Sequence, residues 1–475
     1  MSIQGVIKSV QDIMRQDAGV DGDAQRISQL VWMTFLKVFD AKEQEWELLS
    51  DKYKQVIPRG LRWRDWAADD EGITGDELLD FVNNKLFKEL KGLQVDERTD
   101  PRVFIVKSVF EDSYNYMKSG TLMRQVANKL NQIDFTSQKE RHLFNDIYES
   151  ILRALQSAGN AGEYYTPRPV TQFIVDMVNP KLGEKVLDPA CGTGGFLVCA
   201  LENLRKQVKN VDEENILQES IMGIEKKPLP HMLSMTNMIL HNIDNPQIRH
   251  DNSLAYNVRE YKQKDRVDVI VTNPPFGGIE EDGIEINFPT EFRTKETADL
   301  FLVLMMYLLK DGGRAGMVLP DGFLFGEGVK TKIKEKLLSE FNLHTIVRLP
   351  NGVFEPYTGI KTNLLFFEKG DPTKEIWFFE HPLPEEYKKY TKTKPIRHEE
   401  FILEKQWWDK REENGYAWKV YVEEIKDKNY NLDINHPDRA FKNVIKTPSE
   451  ILSDIGKGFQ ESMMLLNKIR NEVKL

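Results

Sequence analysis

Cysteine is almost missing from this chain: Cys191 and Cys199 are the only two in 475 residues. A disulfide framework is thereby excluded as an organising device. The eight histidines are scattered, without the spacing that holds zinc, so no metal is expected. No apolar run approaches the roughly 20 residues that cross a bilayer; the longest is Leu300–Leu309. The start, Met1-Ser2-Ile3-Gln4, has no basic stretch followed by an apolar block. The expectation is a cytoplasmic protein with no membrane contact. A Walker A lysine motif is also absent, which argues against a nuclease motor or translocase. Positive charge is in deficit, with 65 Lys and Arg against 75 Asp and Glu and a net charge of −10. Phosphate contacts need Lys and Arg. A chain that acts on nucleic acid with this balance needs one basic face, or a partner that supplies the binding surface.

What is present is ample core-forming material, with 40% hydrophobic residues. That makes global disorder untenable, and the length suits two or three domains. The most informative stretch is Asn273-Pro274-Pro275-Phe276, directly after the strand-like run Val267–Val271. The Asn side-chain oxygen and a neighbouring backbone carbonyl can accept two N–H bonds from one exocyclic amine. Two prolines fix φ and stiffen that acceptor pair. The phenylalanine offers a face on which a base can stack.

A candidate methyl-donor site lies upstream. Lys185-Val186-Leu187 reads as a strand running into Asp188-Pro189-Ala190-Cys191-Gly192-Thr193-Gly194-Gly195-Phe196, then an apolar helix. Strand, glycine turn and helix is the Rossmann-type arrangement. Glycines let the backbone approach a ligand closely. The spacing is not that of a dinucleotide fingerprint, and S-adenosylmethionine carries no phosphate to cradle. Glu225, at the end of Met222–Glu225, is placed to accept from two ribose hydroxyls. A glycine turn is elsewhere only a tight turn, and a lone strand-end acid only a solvated charge. The ordered set is more specific than its parts, because three strand-end features coincide in one doubly wound sheet.

These segments, preceded by Gly162-Glu163-Tyr164-Tyr165-Thr166-Pro167-Arg168-Pro169, resemble the amino-methyltransferases that modify adenine N6 in DNA. More closely, the chain resembles the methyltransferase (M) subunit of type I restriction–modification systems. Further matching segments are Gly313–Gly322, Leu349–Phe354, Lys361–Phe367 and Asn429-Tyr430-Asn431-Leu432-Asp433. The resemblance covers nearly the whole chain and is strongest from about residue 162 to 370. It implies S-adenosyl-L-methionine as methyl donor, double-stranded DNA as substrate, a separate specificity (S) subunit that reads the sequence, and a restriction (R) subunit in the full complex. Two copies per specificity subunit are implied by the family alone. Glu163, Tyr164, Tyr165, Thr166, Pro167 and Arg168 then cover the methionine end. Asp188 organises the turn and approaches the methionine amine. Gly192, Thr193, Gly194 and Gly195 let the backbone pass close, and Glu225 holds the ribose. The adenine edge of the cofactor falls to Asp251 or Asn252. Many relatives carry Gly-Asp there, which leaves that choice open.

The fold class expected is α/β: a Rossmann-like, mostly parallel doubly wound sheet with an N-terminal all-α domain and a C-terminal helical tail. Three regions are separable, 1–155, 156–370 and 371–475. In the first, Ile27, Leu30, Val31, Phe35 and Val38 mark an amphipathic helix, and further helices are expected at Asp76–Leu90, Val103–Lys118 and Arg141–Gln156. In the second, strands are expected at Lys185–Leu187, Met222–Glu225, Val267–Thr272, Gly313–Leu319, Thr345–Arg348 and Asn363–Glu368. The acidic stretch Gly277–Thr297 reads as a mobile loop beside Asn273. The third region is charged and holds Trp377, Trp407, Trp408 and Trp418. It ends in a capping box, Thr447-Pro448-Ser449-Glu450, followed by a heptad series at Leu452, Phe459, Leu466 and Val473. Gly456, Gly458 and Ser462 weaken the seam. By resemblance, residues 447–475 contact the specificity subunit; packing on the protein's own surface is the plain alternative.

The mechanism expected is direct methyl transfer to an extruded base. Asn273 and the Pro274 carbonyl accept both N6 hydrogens, and Phe276 stacks on the base. A second aromatic wall is sought at Phe354 or Tyr357, with core packing the commoner role for Phe354. Cytosine N4, RNA and protein glutamine also present an NH2, so they remain alternative acceptors. A non-catalytic scaffold is the alternative from another class.

Overall fold

In the computed structural model, residues 3–96, 99–135, 165–276 and 278–440 are described, with isolated positions 456, 463 and 464. Nine strands form one sheet in the order β3-β2-β1-β4-β5-β7-β6-β8-β9. They are β1 (Val186–Asp188), β2 (Ile221–Glu225), β3 (Gln247–His250), β4 (Val267–Thr272), β5 (Leu309–Pro320), β6 (Phe341–Arg348), β7 (Thr362–Lys369), β8 (Glu375–Glu380) and β9 (Ala417–Tyr421). Pairings from β3 through β5 are all parallel. β7 runs antiparallel between β5 and β6, and β9 antiparallel to β8. The sheet is mostly parallel, as expected.

Near-continuous apolar runs suit strands covered on both faces. Alternate side chains point to opposite faces, and the core divides accordingly. Val269 and Val271 join the cluster under the helices Arg168–Val178, Gly195–Arg205 and Pro228–Leu240. Ile270, between them, joins the cluster under Thr297–Leu308 and Val329–Glu340. The order reverses between β1 and β4, so the chain departs in opposite directions from those two strand ends. That opens a crevice outside their carboxyl ends.

The N-terminal part is helical. Ile27, Leu30, Val31, Phe35 and Val38 are all buried along the helix Asp23–Leu49. The Asp76–Leu90 segment forms a helical run over Gly75–Lys91 whose middle, Phe81–Leu86, is a π-helix. The helix expected to reach Lys118 stops at Glu111. Beyond it the backbone amides find side-chain acceptors instead: Tyr116 N–H donates to Gln29 Oε1, and Lys118 and Ser119 N–H donate to Asp17. Those long-range acceptors outcompete a local helix. Arg141–Gln156 lies outside the described residues, as does the heptad series.

The boundary expected near residue 370 falls inside the sheet. β8 and β9 extend it, because the charges of Glu375, Glu380 and Lys419 lie outward or at strand ends while Ile376, Phe378 and Trp418 are buried. Trp418 stacks on Phe378, with ring centroids 5.3 Å apart. No helix among the described residues is long and apolar enough to cross a membrane.

Candidate active site

The crevice between β1 and β4 is where the sequence-marked residues meet. β1 ends on Asp188 and β4 on Thr272. Thr272 Oγ1 donates to Asp188 Oδ1 at 2.7 Å, and the Ala190 N–H donates to the same oxygen at 3.0 Å. Asp188 is 1% exposed. Burial pushes its pKa up to about 7, beyond what those two bonds restore, and the Glu225 carboxylate adds to the rise.

The glycine turn is clamped from the end of β2. Gly192 and Gly194 have φ of 53° and 81°, a region that favours glycine. At Gly194 a Cβ would also press on Ser234 Cβ at 3.3 Å. The Gly192 N–H donates to Glu225 Oε2 at 2.9 Å, and the Lys227 N–H donates to Glu225 Oε1 at 2.7 Å. Glu225 therefore shapes the turn, a task expected of Asp188 alone. Asn237 Nδ2 donates to the Thr193 carbonyl at 3.1 Å. Burial pushes the Cys191 thiol up, so it is not a nucleophile.

After β3, the Asp251 N–H donates to the Glu225 carbonyl at 3.0 Å. Asp251 Oδ2 accepts from the Tyr256 hydroxyl at 2.6 Å. Asn252 Oδ1 accepts from the Leu254 N–H at 3.0 Å, capping a short turn. Both residues line the cavity.

At the end of β4, Asn273 Nδ2 donates to Thr166 Oγ1 at 2.9 Å. Asn273 Oδ1 is buried and has no hydrogen-bond partner. Buried polar atoms are overwhelmingly paired, so an orphan acceptor here calls for a ligand. Pro274 is buried, Pro275 exposed and Phe276 half-buried. Phe354 is buried and meets Phe276 edge-to-face, with centroids 5.9 Å apart. It backs the Phe276 ring; Tyr357 is half-buried.

A cavity of about 390 Å³ joins these groups. Its wall includes Thr166, Asp188, Gly192, Thr193, Gly195, Glu225, Asp251, Asn252, Asn273 and Pro275. Tyr165, Pro167, Arg168, Gly194, Pro274 and Phe276 are not on that wall. Arg168 instead braces the turn from behind, donating to the Gly195 carbonyl at 2.7 Å. Glu163 and Tyr164 lie outside the described residues.

The segment read as a mobile loop is folded over the cavity. Ile279 bridges Glu296 in antiparallel fashion, and Phe288 and Phe292 are buried anchors. Lys226 Nζ reaches Glu280 and Glu281, each at 3.2 Å, tying the flap to the end of β2. Sequence reading missed Lys226, Glu280 and Glu281 as cavity residues. The signal available was the cation next to Glu225 and the acid pair just beyond the NPPF segment. Among the described residues no cluster of three or more His, Cys, Asp or Glu is placed to hold a metal.

Residues 139–443 match the family described as N-6 DNA Methylase, and residues 3–132 the HsdM N-terminal domain. The EcoEI type I methylase subunit of Escherichia coli is 58% identical over the whole chain and 97% of its own length. The EcoKI methylase subunit of E. coli K12 is 29% identical over 74% of this chain and 66% of its own. Among solved structures, a type I restriction enzyme modification subunit from Vibrio vulnificus YJ016 superposes with a TM-score of 0.83. It is 46% identical, over 92% of this chain and 96% of that one. A chain of a type I R-M system solved to explain complex assembly and conformational transition gives 0.83 at 37% identity, over 100% and 98%.

Proposed function

The chain belongs to the N-6 DNA methylase family as a type I restriction–modification methylase subunit, an adenine-specific DNA methyltransferase, and from that premise we propose how its residues do the work. The carrying observation is the buried, unpartnered Oδ1 of Asn273 at the cavity wall.

S-adenosylmethionine fits the residues present. The wall carries five carboxylates, Asp188, Glu225, Asp251, Glu280 and Glu281, against two lysines, Lys226 and Lys227, and Lys226 is engaged by Glu280 and Glu281. An acid-lined pocket beside a glycine turn suits a cationic ligand without phosphate. When bound, the cofactor supplies an electrophilic methyl group. Asp188 would face its amine, Glu225 its ribose, and Asp251 with Asn252 its adenine edge. Gly192, Thr193, Gly195 and Thr166 complete the wall, with Arg168 bracing the turn from behind.

The acceptor work falls to the β4 end. Thr166 holds the Asn273 amide so that Oδ1 is left to accept one N6 hydrogen. The Pro274 carbonyl accepts the other, held rigid by Pro275. The two bonds draw N6 toward tetrahedral geometry and turn its lone pair to the donor. Most of the acceleration comes from this positioning and from local electrostatics. Phe276, backed by Phe354, offers its face to the extruded base.

A separate specificity subunit would bring the DNA, in line with the net charge of −10. Residues 1–155 would help close the assembly around DNA, and residues 447–475 would contact that subunit. Two copies per specificity subunit, with a restriction subunit added, would complete the complex. The test is tritiated methyl transfer from S-adenosylmethionine to duplex DNA, with and without the specificity subunit. Label on adenine N6 only in the presence of the partner is the expected result. Transfer to RNA or protein, or none with cofactor bound, would overturn the reading.

A further inference from the structure

Four motif segments stand outside the site described so far: Asp321-Gly322 after β5, Leu349-Pro350-Asn351 after β6, Lys361-Thr362-Asn363 entering β7, and Asn429–Asp433. The fold gathers them. β5 and β6 run the same way with β7 reversed between them, so their neighbouring ends meet on the sheet edge that carries Asn273. There they open a second cavity, of about 510 Å³. β6 lies three strand positions from β4, about 14 Å along that edge at the usual strand spacing.

At its wall Asn363 is 1% exposed. Its Nδ2 donates to Asp321 Oδ1 at 3.0 Å. A carboxylate only accepts, so the amide has one orientation and Oδ1 is turned away from Asp321. That oxygen is buried and has no hydrogen-bond partner. It repeats the arrangement at Asn273, where Nδ2 is occupied and Oδ1 is orphaned. Arg348 pairs with Asp433 at 2.6 Å and Asp321 at 3.4 Å. Lys361 and Lys388 are exposed on the rim, with no acid partner for either ammonium among the described residues. Three cations, Arg348, Lys361 and Lys388, face two acids, Asp321 and Glu380.

An orphan acceptor inside and unpaired ammonium groups at the mouth match a ligand with an N–H donor at one end and a phosphate at the other. We propose that this second cavity holds a nucleotide of the DNA strand flanking the methylated adenine, its phosphate on Lys361 and Lys388 and a base N–H on Asn363 Oδ1. The inference rests on the DNA-methyltransferase reading above. The strand that extrudes one base continues past the site, and a cavity about 14 Å away on the same edge is within reach of its flanking nucleotides.

The test uses the chain assembled with its specificity subunit and a duplex carrying the complex's methylation site. Binding is followed by fluorescence anisotropy over a range of salt. The double variant K361A/K388A should reduce the magnitude of the slope of log K against log salt by about 0.9, for the one phosphate the two lysines share. N363A should weaken binding roughly 5- to 10-fold at unchanged slope. Methylphosphonates flanking the target adenine should weaken binding of the unaltered complex yet leave K361A/K388A unaffected. Cofactor binding and co-elution with the specificity subunit should persist in all variants. An unchanged slope in K361A/K388A overturns the proposal, and that variant keeps the test decisive if N363A does not fold. Loss of co-elution also overturns it, assigning the surface to the protein partner. An unaltered complex that binds cofactor but neither binds nor methylates the duplex refutes the broader reading as well, which separates the two failures.

Discussion

Replacing Asn273 with alanine should separate catalysis from stability. In the free protein Asn273 makes one side-chain bond, Nδ2 to Thr166 at 2.9 Å, and leaves Oδ1 buried without a partner. Losing the bond costs about 0.5–1.5 kcal/mol, while removing an unsatisfied buried acceptor returns about 1–3 kcal/mol. The two nearly cancel, so the melting temperature should move by no more than about 2 °C, given the shift per kcal/mol expected for a large chain. The transition state has no such cancellation. It loses one of two preorganised acceptors, worth about 100- to 1,000-fold in kcat. Cofactor affinity should change little, because Asp188, Glu225 and the glycine turn are untouched. Single-turnover methyl transfer, thermal melting and calorimetric cofactor binding measure the three quantities. A kcat loss below about tenfold would refute the acceptor role. A fall of many degrees in melting temperature would show that Asn273 is a structural residue whose unpaired oxygen has been misread.

Thr166→Val should free the Asn273 amide to rotate, lowering kcat by about tenfold, while Thr166→Ser restores most of it; equal loss in both variants would remove Thr166 from the positioning role. Asp188, with its pKa pushed up to about 7 by burial, is protonated below that pH and anionic above it. A cationic cofactor favours the anion, so its affinity should rise from pH 6 to pH 8 and then level off. Asp188→Asn should flatten that profile, and a flat profile in the unaltered protein would place the cofactor's amine elsewhere. Deleting the residues after Thr447 should abolish co-purification with the specificity subunit and leave cofactor binding intact; unchanged co-purification would sink the tail's assignment. Lys226→Ala should speed cofactor dissociation several-fold by releasing the flap, a modest effect because this pair is partly exposed; an unchanged off-rate in stopped flow would show that the ion pairs do not gate the cavity.

What the sequence determined by itself was local. A strand that runs straight into a glycine turn, a strand that ends on Asn-Pro-Pro-Phe, and an acid at a third strand end are features of neighbouring residues, and backbone geometry makes them readable. The mostly parallel sheet followed from apolar runs alternating with helical ones. The tertiary structure decided the pairings, because strand order and register set which distant residues meet. Thr166 lies 107 residues from Asn273, Thr272 lies 84 from Asp188, and Lys226 lies 54 from Glu280. No periodicity encodes such separations. The folded flap escaped notice because two buried phenylalanines, Phe288 and Phe292, sit among acidic and glycine residues that read as loop. β8 and β9 escaped for a related reason, since their outward charges hide the buried alternation that holds them to the sheet. Only packing reveals which half of an amphipathic strand is inside, and only packing left the Asn273 oxygen buried and waiting for a partner.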